Sequence, residues 1–445
     1  MRYNPVIFIF LIFLIGSAAV LLSGCVGTVD DTKNKNESIN QTDKINLSQQ
    51  EPETYPWPYK PANPVIGERK LLVILWDPHR PDHPAPNATV IEKLIFGPPP
   101  SASDYFSENS RGKFKLNLVA VLGWYDADKP ASHYWAPADT NDSNNDGWIH
   151  GHVEKWAEAI RKADREINFS LYDQNKNGVI SSDELGILIV IPQNNSFGTY
   201  RQLKGREYPV GEPLVVDGVS LPVVAEAYIG KPPDLGVTTH EISHLFLDAP
   251  DMYFTFFYPY AAGEYSLMDV AKNNHMDPYN KLRLGWIEPK VVLKSGEYKL
   301  CDIESTGDVI LLYDKNHSTK EYFLLENRQH GTYYDSKLPY TGLAIWHIIE
   351  DENVYSKLPA PSGVDAGKWT GVSAYDWGRR AIRMLRPAYG PPFDNTKALW
   401  DDSDLVTAGS ITLKWVDGKE SGFIIKNLSS SSKEMKVWIE VKGSS

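Results

Sequence analysis

Apolar residues fall along the chain in runs whose length and spacing change three times. The first run, Val6 to Leu22, is nearly unbroken and follows Arg2 closely. From Val26 to Ala62 polar residues and prolines prevail, and such a segment buries too little apolar area to offset its ordering entropy. Folded texture begins at Gly67. Lys70 to Trp76 is a continuous run of strand length and predicts a buried strand. Phe114 to Trp124 and the almost wholly aliphatic Gly186 to Ile191 predict two more. Between them, Val153 to Ile167 carries Trp156, Ala157, Ala159, Ile160 and Ala163 at helical spacing with charges opposite, which predicts an amphipathic helix. After Pro289 short runs recur at 298–301, 309–313, 322–326, 343–349, 411–415, 422–425 and 435–441, separated by turn residues. The pattern predicts a mixed α+β domain over 65–290 and a β-rich, sandwich-like domain over 291–445.

Composition narrows the function classes. The 445 residues carry 45 Lys and Arg against 57 Asp and Glu, a net charge of −12, which disfavours a binder of nucleic-acid phosphates. An acidic chain suits calcium better. Only two cysteines occur, Cys25 and Cys301, the first in the leader and the second in a strand-like run.

The sequence Leu22-Ser23-Gly24-Cys25, placed after the first apolar run, resembles the lipobox of a prokaryotic lipoprotein signal peptide. The resemblance implies that residues 1–24 are removed, that Cys25 carries a lipid, and that 25–64 is a polar tether on the outer face of the cell membrane. An uncleaved anchor helix is the alternative, since about 18 apolar residues just span a bilayer. Both place the folded part outside the cytoplasm.

The strongest chemical signal is His240-Glu241-Ile242-Ser243-His244. On a helix, residues four apart lie one turn above each other, so both imidazoles can reach one Zn²⁺. Glu241 then stands where a carboxylate can take a proton from an attacking water and pass it to a leaving amine. A catalytic zinc wants a third protein ligand. Asp248 lies about 12 Å along the helix from His240, too far to share the metal. Pro250 ends the helix, so Asp251 can fold back from the turn and is the first choice; Glu264 is the second, and the spacing leaves the two open.

The stretch His240 to Tyr253, with Pro250-Asp251-Met252-Tyr253 after the pentad, resembles the active-site helix and following turn of the immune-inhibitor-A-like metallopeptidases. That family has a Gly between the two motifs where this chain has Leu247 or Asp248 and one extra residue. Further blocks occur in the family's order: Ser103 to Phe114, Gly123-Trp124-Tyr125, Gly263 to Asp269 with Met268 in a methionine turn, His275 to Pro289, Glu326 to Gln329 and Gly342 to His347. The resemblance implies a zincin-like domain and a zinc endopeptidase acting on extracellular protein or peptide substrates. Tyr253, Tyr265 and Tyr279 are candidate donors to an oxyanion, with packing the ordinary role for each.

Asp173 to Glu184 fits the twelve-residue calcium loop: oxygens at Asp173, Asn175 and Asn177, the turn at Gly178, the carbonyl of Val179, and Glu184 closing. Two Asn in place of Asp predict weak affinity, suited to surroundings rich in Ca²⁺. Asp142 to Val153 starts a second such loop but lacks the closing acid. The competing function is a calcium-dependent surface binding protein with a vestigial zinc helix; a metal-dependent amidase acting on wall material is a third.

Overall fold

The computed structural model describes residues 64–135, 151–193, 197–202, 214–230, 232–252, 262–351, 353, 381–387 and 397–442. The leader, Cys25, the tether up to residue 63, the Asp142 loop and Tyr253 lie outside the described residues. The fold is mixed α/β, with several sheets and few helices. Among the described residues no helix is long and apolar enough to cross a membrane.

The first half of the chain runs β1 (Gly67–Asp77), α1 (Ala88–Phe96), α2 (Ala102–Asn109), β2 (Phe114–Asp126), the single turn α3 (Ala131–Tyr134), α4 (Gly151–Ala163), β3 (Gly186–Pro192), β4 (Phe197–Gln202), the short hairpin β5 (Val215–Val216) and β6 (Val219–Ser220), β7 (Val223–Ile229), α5 (Leu235–Leu247) and α6 (Pro278–Arg283). The second half runs β8 (Lys290–Val291), β9 (Gly296–Cys301), α7 (Ile303–Thr306), β10 (Val309–Leu312), β11 (Glu321–Arg328), β12 (Gly342–Ile349), β13 (Ala381–Leu385), α8 (Asp402–Ala408), β14 (Ile411–Lys414), β15 (Glu420–Leu428) and β16 (Glu434–Val441).

The first sheet has the order β2-β1-β3-β7-β4. Its first four strands are parallel, and β4 pairs antiparallel with β7 at the edge. Strand residues alternate faces, and β1 obeys this strictly. Leu71, Val73 and Leu75 enter one core with α1, α2 and α5, while Leu72, Ile74 and Trp76 enter another with α4. Burial on both faces explains why β1 and β3 read as continuous apolar runs. The α4 helix stops at Ala163, four residues before its expected end, and Ile167 closes the last turn through its N–H to the Ala163 carbonyl at 3.1 Å.

The seven strands expected after Pro289 are all present, and with β8 and β13, which were not expected, they form a five-stranded sheet of order β13-β12-β11-β10-β8 and a four-stranded sheet of order β14-β15-β16-β9. Ile310, Leu312, Phe323, Leu325 and Ile345 from the first share a core with Ile411, Leu413, Ile425, Val437 and Ile439 from the second. The opposite face of the five-stranded sheet, with Leu311, Leu324, Trp346 and Ile348, belongs to the same core as β1 and α5. That sheet is therefore covered on both sides.

Candidate metal centre

The α5 helix begins at Asp234, whose carboxylate accepts the Val237 N–H at 3.2 Å, and ends at Asp248 in the left-handed region with φ 47°. Every residue of α5 is buried, so the helix lacks a polar stripe and owes its place to tertiary packing. Small residues set its depth. Ala225 and Ala227 of β7 share its core, and a Cβ on Gly186 would meet the Phe246 ring at 2.3 Å. Arg283 donates to the Leu247 and Asp248 carbonyls at 2.6 and 3.1 Å, satisfying the helix end.

On this helix His240 and His244 bring their Nε2 atoms within 3.0 Å of each other, and Asp251 places Oδ1 3.1 Å from both. The Asp248 turn carries the chain back so that Asp251 reaches the imidazoles. Glu264 is not in this group; it pairs with Lys272. The structure thus brings His240, His244 and Asp251 together and sets Glu264 apart.

The donor set fits a divalent cation. Each Nδ1 faces a backbone carbonyl, His240 that of Leu267 at 3.1 Å and His244 that of Ala249 at 2.6 Å. With the ring proton donated there, each Nε2 keeps its lone pair, the tautomer a metal requires. Two lone pairs and a carboxylate oxygen about 3 Å apart repel unless positive charge lies between them. Tetrahedral zinc at bond lengths of about 2.0–2.1 Å separates its ligands by about 3.3 Å, close to the spacing here. The electrostatics point the same way. Burial disfavours an ionised Asp251, yet the two imidazoles outweigh it and hold its carboxyl well below the usual range. Burial likewise opposes the charged His240, but without an ion Asp251 and Glu241 bring it up to about 9, so a proton takes the place at Nε2 that a cation would otherwise occupy. The pocket is built around positive charge.

Glu241, 3% exposed, has an Oε2 that is buried without a hydrogen-bond partner. Burial raises its pKa to about 7, against the pull of the neighbouring imidazoles. Beneath the helix, Leu267 supplies the carbonyl that orients His240, and the Met268 carbonyl accepts the Met252 N–H at 2.8 Å. The expected methionine turn therefore touches both the first His and the Asp251 turn. Tyr265 spends its hydroxyl on the Tyr340 carbonyl at 3.2 Å, and Tyr279 is buried.

Several supporting residues were not singled out by the sequence. Arg328, fully buried on β11, forks onto both oxygens of Asp335 at 2.8 Å and donates to the Tyr265 carbonyl at 3.1 Å. Asp277 accepts from Ser266 at 2.9 Å, and the Ser266 hydroxyl accepts the Met268 N–H at 3.2 Å. Asp269 receives the N–H groups of Ala262 and Gly263 at 2.6 and 2.7 Å. Apart from Asp335, these side chains lie inside the blocks Gly263 to Asp269, His275 to Pro289 and Glu326 to Gln329, and the charges of Glu326 and Arg328 inside an apolar strand run were a further signal.

Side chains of the expected calcium loop accept backbone N–H groups within it. Asp173 accepts the N–H groups of Asn177 and Gly178, Asn175 that of Asn177, and Asn177 that of Val179. Glu184 folds back to accept from Gln174, Asn175 and Ser181. The Ile180 N–H donates to the Ser220 carbonyl at 2.9 Å and the Ser220 N–H to that of Gly178 at 2.8 Å, which ties the loop to β6. No protein-family model matches this chain, and no curated protein matches it.

Proposed function

We propose that this protein is a zinc-dependent endopeptidase, tethered by a lipid on Cys25 to the outer face of the cell membrane, that hydrolyses peptide bonds in extracellular proteins. The observation carrying the reading is the convergence of His240, His244 and Asp251 on one point, beside the buried carboxylate of Glu241. The parallel sheet with an antiparallel edge strand, backed by the histidine-bearing helix, supports a zincin-like domain. When bound, zinc supplies a Lewis acid that polarises the scissile carbonyl and lowers the pKa of the attacking water.

The chain's own residues do the rest. His240 and His244 hold the ion through Nε2, with ring orientation fixed by the Leu267 and Ala249 carbonyls. Asp251 adds a negative ligand. Glu241 takes the water's proton on its carboxylate and delivers it to the departing amine, with its buried Oε2 free of any hydrogen-bond partner that would compete. Calcium on Asp173, Asn175, Asn177, Val179 and Glu184 plays a structural part.

Metal content and peptide cleavage measured together test the proposal. Wild type and Glu241→Gln should both retain zinc, while cleavage of a broad peptide library falls at least 10²-fold in the variant. Equal cleavage by the two, or none in zinc-loaded wild type, would overturn the proposal. Calcium-dependent binding without turnover would then favour a surface binding protein.

A further inference from the structure

A second group of metal-ligating side chains lies away from α5. Glu108 at the end of α2, His275 in the loop before α6, and Glu304 on α7 bring one ligand atom each within 4.8 Å of the others. His275 Nε2 is 3.1 Å from Glu108 Oε1 and 3.8 Å from Glu304 Oε1, and the two carboxylates are in hydrogen-bond contact. The imidazole side chain is 1% exposed, those of Glu304 and Glu108 12% and 31%. The group is thus closed behind the ring and open to water on the Glu108 side.

The surroundings are built rather than incidental. Lys281 Nζ lies 2.8 Å from His275 Nδ1 and fixes the ring, while the His275 N–H donates to Asp335 at 2.7 Å. Gly331 makes room for the Glu304 carboxylate, since a Cβ there would fall 1.8 Å from Oε2. Two carboxylates in contact share either a proton or a cation. One imidazole and two carboxylates form a borderline donor set that suits zinc better than calcium.

We propose that Glu108, His275 and Glu304 form a second, structural site for a zinc-class divalent cation, with water completing the coordination. The cation would clasp α2 and the loop before α6 to α7, joining residues on either side of Pro289. The Arg111 side chain already bridges the same gap through the Ser305 carbonyl at 2.9 Å. Loading would displace two protons, the one on His275 Nε2 that faces Glu108 and the one held between the carboxylates, while Lys281 passes a proton to Nδ1 and accepts the resulting N–H as a neutral amine. The site is independent of the catalytic reading.

Zinc content of the full chain, purified with calcium present, tests it. Wild type should hold two equivalents of zinc. His240→Ala/His244→Ala and Glu108→Gln/Glu304→Gln should each hold one, and the four substitutions together none. Added zinc should raise the melting temperature of His240→Ala/His244→Ala and release protons on uptake. If that variant takes up no zinc, or keeps its zinc after Glu108→Gln/Glu304→Gln is added, the proposal is overturned. Should the Gln variants fail to fold, zinc titration of His240→Ala/His244→Ala alone still decides. Failure of the catalytic reading looks different: one equivalent in wild type, unchanged by His240→Ala/His244→Ala and lost with Glu108→Gln/Glu304→Gln.

Discussion

Replacing Gly236 with Ala sets two known effects against each other at the foot of the metal helix. Gly236 is the second residue of α5, and an Ala in a helix is worth about 1 kcal/mol over Gly on propensity alone. Propensity therefore predicts stabilisation. The structure predicts the reverse, because the new Cβ would stand 2.2 Å from the Ala271 carbonyl oxygen and 2.7 Å from the Lys272 Cα. Both are backbone atoms, so no rotamer change relieves the clash. Reaching an ordinary 3.4 Å contact requires α5 and the 267–272 segment to part by about 1.2 Å. Forced expansion of a packed interior costs about 1–3 kcal/mol. The same segment holds the Leu267 carbonyl that orients His240, so the separation also loosens the metal site. A displacement of about 1 Å in a catalytic group costs on the order of 10²-fold in rate. We expect Gly236→Ala to lower unfolding free energy by up to about 2 kcal/mol in denaturant titrations, with zinc binding weakened and cleavage reduced 10- to 100-fold. A variant as stable as wild type, with unchanged zinc affinity, would show that α5 does not press on the 267–272 segment and would refute the packing described.

Other expectations concern single side chains. Asp251→Ala should weaken zinc binding by about 10²-fold or more, whereas Glu264→Ala should leave it unchanged, read by competition with a chromophoric chelator. Arg328→Met strips the partner from buried Asp335 and Glu326 and should cost about 3–5 kcal/mol in thermal or denaturant melts. Burial opposes ionisation of Glu321, but His347, His317 and the Val416 N–H outweigh it and lower its pKa. Its stabilisation is therefore complete above the unfolded value near 4.3 and lost as pH falls below it; Glu321→Gln should flatten the acid limb of the stability curve. Removal of calcium should speed proteolysis both within 173–184 and in the β5–β6 hairpin that pairs with it, and Asp173→Ala should abolish the calcium dependence.

Seven strands of the two C-terminal sheets were legible because their runs are short, apolar and bounded by turns, whereas β8 and β13 were not expected. The strand β7 was not, because Glu226 interrupts Val223 to Ile229; that carboxylate is buried against Lys155 at 2.7 Å and the Trp156 indole, partners remote in sequence. The candidate metal site on α5 was legible from the identity of His240, Glu241 and His244 alone, not from periodicity, since α5 has no exposed face. The choice of Asp251 over Glu264 needed coordinates, because it depends on the left-handed turn at Asp248. The groups that orient the imidazoles are carbonyls of Leu267 and Ala249, and a backbone atom leaves no mark in residue identity.

The sheet formed by β8 and β10–β13 is a party wall. Leu311, Leu324, Trp346, Ile348, Ile382 and Met384 face the half of the molecule that carries the metal helix, while their strand neighbours face the other half. At about 1.5–3 kcal/mol for each fully buried side chain, these six represent about 9–18 kcal/mol, comparable with the whole stability of an ordinary domain. A chain cut at residue 290 would leave its remaining half without that wall. The C-terminal strands are thus part of the housing of the metal helix, and the two halves should melt in one transition and be inherited together.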